Sequence, residues 1–174
     1  MSGYSEDELI DIQKRYKLRF PPDLAEIYRE RRSVIPGDDF DWMQTPRVRI
    51  ERMLTWPLEG MLFDVENNAF WLSEWVKRPE KKSAREELVR AAIAAAPKLI
   101  PVYGHRYIPE EPHAPGNPIF SVHQTDIICY GANLATYIRA ETAGRQSVEA
   151  PEGQDASPPL KQIRFWSVFI GDDE

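Results

Sequence analysis

The stretch GHRYIPEEPHAPGNPIFSVHQTDIICYG, residues 104–131, decides how this chain folds. It holds all three histidines, His105, His113 and His123, and the single cysteine, Cys129. Either those side chains converge on a metal or a reaction, or the residues between them specify a sheet. Runs of β-branched and aromatic residues favour the sheet: 106–108, 119–123 and 126–130 read as short strands, the last two joined as a hairpin through Gln124-Thr125. Residues 99–103, just upstream, read as another strand, and Gly116-Asn117-Pro118 turns the chain into the hairpin. Pro97, Pro101, Pro109, Pro112, Pro115 and Pro118 fix the backbone of this region, which suits a rigid presented surface better than a mobile lid.

The side chains themselves argue weakly for chemistry. Recognisable zinc sequences place ligand pairs two to four residues apart, whereas these histidines are eight and ten apart. His123, Asp126 and Cys129 are closer, at steps of three, but they span a turn and a strand, where that step defines no common face. Cys129 lies between Ile128 and Tyr130, the usual setting of a buried, inert thiol, and nothing local supplies the base a thiolate nucleophile requires. His105 or His123 with Asp126 makes a chemically sound acid–base pair, yet such pairs arise in any chain of this length. No catalytic, metal or cofactor role is therefore expected. His105, Arg106, Tyr107, Asn117, Gln124 and Asp126 are instead expected to bind a partner or to brace the loop by hydrogen bonds.

Outward from this block, helices are expected on both sides. SEDE at residues 5–8 is a capping-box pattern, followed by Leu9, Ile12 and Tyr16 on one helical face. Pro21-Pro22 starts a second helix that ends by Pro36-Gly37. Pro57 is expected to open a third, carrying Leu58, Met61, Leu62 and Val65 and closed by Asn67-Asn68. Ser83 and Glu86 form a second capping pattern leading into a helix over 85–96 that Pro97 stops. Asn133 caps a last helix over 134–140. Trp42, Trp56, Trp71 and Trp75 read as core or core-edge residues, because no regularly spaced basic residues accompany them as in a base-stacking platform. Residues 142–159 are too polar to fix themselves and read as a flexible loop. Residues 160–170 should dock back on the body, with 163–170 as a strand or a packed segment. Helices and strands are segregated, which points to an α+β fold.

With 174 residues the chain suits one domain. A net charge of −6 disfavours direct binding to nucleic acid and can meet a basic partner. A lone cysteine forms no internal disulfide, and no apolar run matches a signal core or a membrane span. A cytoplasmic location, with no membrane association, is expected.

The blocks GHRYIP (104–109), GNPIFSVHQTDIICYG (116–131), LTWPLE (54–59), FDVE (63–66), FWLSEW (70–75) and RFWS (164–167) resemble a bacterial branch of the SUKH superfamily, the group that includes Smi/Knr-type cell-wall-assembly regulators of yeast. His123 and Cys129 depart from the pattern, which usually has aromatic residues there. The resemblance implies a single α+β domain, a mixed, mostly antiparallel sheet flanked by helices and no catalytic constellation. Many bacterial members are similar to immunity proteins that neutralise polymorphic toxins, often nucleases or deaminases. The expected function is thus a non-enzymatic protein-binding module of immunity type, with a cognate toxin as partner. The alternatives are a regulatory scaffold whose 142–159 segment recruits partners, and a hydrolase using His105, His123 and Asp126.

Overall fold

Apolar side chains run almost without interruption through residues 99–103, 107–109 and 127–130, so a sheet formed there buries much of both faces. The computed structural model describes residues 2–143 and 159–170. In chain order these form α1 (Glu6–Tyr16), α2 (Pro22–Glu30), α3 (Arg47–Asn67), α4 (Lys82–Ala95), β1 (Leu99–Tyr103), β2 (Arg106–Pro109), β3 (Ile119–His123), β4 (Asp126–Gly131), α5 (Leu134–Ala143) and a 3-10 turn at Trp166–Phe169. The architecture is α+β, as expected. Where the resemblance implies a mixed sheet, the described residues contain antiparallel pairs only, in the order β1-β2-β3-β4.

Ile100, Val102, Ile108 and Ile119 pack with Leu9, Ile12, Leu24, Tyr28, Trp42 and Ile50 and with Leu134 and Tyr137 of α5. Leu99, Tyr107, Phe120, Val122 and Ile127 pack with Met61 and Val65 of α3, Val89 of α4, and Ile163 and Trp166. A four-strand meander has one further consequence. It brings the β1–β2 turn at Gly104-His105 and the β3–β4 turn at Gln124-Thr125 to the same end of the sheet.

Local signals at the helix ends are realised where nothing distant competes. The Ser5 hydroxyl accepts the Glu8 N–H at 3.2 Å and the Glu8 carboxylate accepts the Ser5 N–H at 2.8 Å. Asn133 Oδ1 accepts the Thr136 N–H at 2.9 Å.

Two expected starts are corrected. Pro57 does not open α3 but lies inside it. Proline removes the N–H that the carbonyl four residues earlier would accept, and that carbonyl, of Met53, takes the Tyr107 hydroxyl at 2.8 Å instead. A tertiary donor thus replaces the missing helical one, and the helix runs on. The Ser83–Glu86 box does not form, because α4 begins at Lys82 and no side chain caps it. Arg85 fixes this start differently: its guanidinium pairs with Glu66 of α3 at 2.7 Å and donates to the carbonyls of Pro79 and Glu80.

Ile163 and Trp166 are both buried, and Trp166 Nε1 donates to the Pro97 carbonyl at 2.7 Å. The C-terminal segment docks as a 3-10 turn over Trp166–Phe169 and not as a strand, with Ile163 just ahead of it accepting the Ser167 N–H on its carbonyl at 3.0 Å. Trp42 is core, whereas Trp56, Trp71 and Trp75 lie at the core edge. Of the expected 142–159 loop, Thr142 belongs to α5 and residues 144–158 lie outside the described residues. No helix among the described residues is long and apolar enough to cross a membrane.

Candidate functional site

The two hairpin turns meet over α3. His105 stacks on the Trp56 indole, with ring centroids 5.6 Å apart, and His123 meets His105 edge-on at 6.3 Å. Backbone bonds hold this arrangement: the Val122 N–H donates to the His105 carbonyl at 2.9 Å, and Trp56 Nε1 donates to the Val122 carbonyl at 3.1 Å. Both imidazoles are exposed.

The second turn is clamped from below. Asp64 Oδ2 accepts the Thr125 N–H at 2.9 Å and the Thr125 hydroxyl at 2.6 Å, while Oδ1 accepts Asn68 Nδ2 at 2.5 Å. Burial pushes the Asp64 carboxyl up, but these hydrogen bonds, with His123 nearby, outweigh it and hold the group below the usual carboxylate range. A depressed folded-state pKa contributes stability that is present above the unfolded-state value, about 4, and is lost as pH falls through the folded-state value. Asp64→Asn should therefore flatten the loss of melting temperature between about pH 5 and pH 2 relative to wild type, as followed by circular dichroism.

Gln124 sits in the turn at φ 56° and presses on Gly60 of α3. A Cβ at residue 60 would lie 2.7 Å from Gln124 Cα and 3.1 Å from its N. Glycine in a helix ordinarily costs about 1 kcal/mol relative to alanine. Here Gly60→Ala should instead destabilise, by about 1–2 kcal/mol in urea unfolding, because backbone must move to admit the methyl.

Arg106 lies on the face of the sheet turned away from α3, the face that the register also gives to Ser121, His123 and Asp126. Its guanidinium carbon lies 3.8 Å from the centre of the Tyr130 ring, and Nη1 donates to Ser121 Oγ at 3.3 Å. The strand register places Tyr103, Arg106, Ser121 and Ile128 in one cross-strand row. Asp126 stands opposite His123 in the register but makes no side-chain hydrogen bond or ion pair among the described residues.

The structure thus brings His105, Arg106, Gln124 and Asp126 together with His123. Tyr107 and Asn117 are placed otherwise, as internal braces. Tyr107 is buried against α3. Asn117 is fully buried in the β2–β3 connection, where Nδ2 donates to the carbonyls of Pro109 and Pro112 at 2.9 Å each. His113 is exposed in that connection. Cys129 is half-buried, its thiol pushed up by burial. Among the described residues no group of three or more His, Cys, Asp or Glu side chains is placed to hold a metal ion. An apolar cleft of about 270 Å³, lined among others by Tyr16, Leu54, Pro57, Ile93 and Trp166, includes none of these candidates.

Sequence reasoning missed Trp56, Gly60 and Asp64 as residues that position the turns. Asp64 left a signal: a carboxylate between Met61 and Val65 on a buried helical face demands hydrogen-bond partners. An exposed imidazole stacked on a half-buried indole, with an amide and a carboxylate at the clamped β3–β4 turn, makes a polar-aromatic contact surface. A histidine base oriented by Asp126 is not formed, since that carboxylate bonds neither imidazole.

No protein-family model matches this chain, and no curated protein or solved structure matches it.

Proposed function

We propose that this chain is a non-enzymatic, cytoplasmic immunity-type protein of the SUKH superfamily that neutralises a nuclease-type toxin by covering it with the turn end of its sheet. The observation that carries this reading is that His105, stacked on Trp56, meets His123 beside Gln124 and Asp126, on a β3–β4 turn clamped by Asp64 and Gly60. A surface held in place before encounter loses little freedom on binding, which raises affinity without added area. The net charge of −6 supports fast encounter with a basic partner. A half-buried indole and two exposed imidazoles beside an amide supply the anchoring contacts such interfaces use.

Co-expression with the toxin encoded next to this chain tests the reading. Growth should be restored by the wild-type chain. Absence of protection against every neighbouring toxin would contradict it.

A further inference from the structure

The two edges of the sheet are unlike. β1 is blunted: Pro101 offers no N–H and Lys98 stands beside the strand. β4, DIICYG, carries neither proline nor lysine. Alternate residues of β4 turn their N–H and C=O groups away from β3, and among the described residues no backbone partner meets that edge. Ile128 and Tyr130 are 50% and 44% exposed there. α5 and the 3-10 turn pack near β4 but leave that backbone edge without a partner among the described residues, and an unpaired edge that displays apolar side chains is a template for another strand.

We infer that the strand it takes is β4 of a second copy, paired antiparallel about a twofold axis at Ile128. The reason is self-complementarity. This register sets Ile128 opposite Ile128 of the second copy, and Asp126 opposite its Tyr130. Tyr130 already carries the Arg106 guanidinium on its ring, and Arg106 Nε is buried without an acceptor. Asp126, which has no ion pair of its own among the described residues, therefore arrives beside a cation that has no carboxylate partner among them either, and symmetry makes the contact twice. The register shift opposite Tyr130 bends β4 and confines the pairing to residues 126–130. So short an interface falls below the usual ~800 Å² per partner and fits a dissociation constant of about 10–100 µM. The inference is independent of the toxin reading, because the test contains no toxin.

Sedimentation equilibrium of the full chain should show a reversible monomer–dimer exchange. Ile128→Lys and Asp126→Arg, both at exposed positions, should each weaken it about tenfold or more with unchanged melting temperature. In a Cys129→Ala background, Ile128→Cys should form a disulfide-linked dimer faster than the exposed control Ile10→Cys. A full chain that stays monomeric to about 500 µM overturns the inference. So does a dimer indifferent to both edge variants, Ile128→Cys cross-linking no faster than the control, or dimerisation that begins only when residues 144–158 are deleted, which would name that segment as the occupant of the edge.

Discussion

Tyr107→Phe is expected to lower the free energy of unfolding by about 1–3 kcal/mol, a large effect for the loss of one oxygen atom. The ring stays buried and no cavity forms, so the whole effect lies in one hydrogen bond. Pro57 cannot donate to the Met53 carbonyl, and the Tyr107 hydroxyl is the donor that does. Its removal leaves a partly buried carbonyl without a partner.

The same reasoning predicts a rescue. Pro57→Ala restores a helical N–H to Met53, so the double variant Tyr107→Phe/Pro57→Ala should recover most of the loss. A double-mutant cycle in urea should give a coupling of about 1–2 kcal/mol. Equal losses from Tyr107→Phe in the Pro57 and Ala backgrounds would show that the hydroxyl does not serve that carbonyl.

Asn117→Ala is expected to cost about 3 kcal/mol, through two orphaned carbonyls in the β2–β3 connection. Both Nδ2 hydrogens are engaged, by Pro109 and Pro112, and Oδ1 accepts Lys161 Nζ at 3.3 Å. For a chain of this size that is a fall of about 6–12 °C in melting temperature. Asn117→Asp should do comparable damage, because a carboxylate accepts hydrogen bonds and cannot donate to the two carbonyls. An aspartate variant as stable as wild type would show that the amide donors carry little of the connection's stability.

Features governed by neighbours in sequence were legible before the fold was known. The Ser5 box, the Asn133 cap, the Gln124-Thr125 hairpin and the four strands depend on residues a few positions apart, and all are present. Features governed by distant partners were not. The expectation at Pro57 failed because its compensating hydroxyl lies 54 residues from Met53. That at Ser83 failed because Arg85 is held by Glu66 of another helix.

The candidate site follows the same rule. His105, Arg106, Gln124 and Asp126 were legible as polar side chains within the 104–131 block, whereas the meeting of their two turns follows only from the strand order. Gly60 and Asp64 were not, since their partners Gln124 and Thr125 are about sixty residues away. Tyr107 and Asn117 could be named from the sequence, but only the packing separates them as braces from the residues that face outward.

The central claim is that this clamped end of the sheet is what a partner touches. Calorimetric titration of the neighbouring toxin with wild type and with His123→Lys/Gln124→Lys tests it most directly, because both side chains stand at the β3–β4 turn, neither makes a side-chain hydrogen bond within the described residues, and lysine keeps a cation near Asp64. The account predicts binding at least about thirtyfold weaker in the variant, with an unchanged melting temperature. Equal affinity of the two proteins would contradict it.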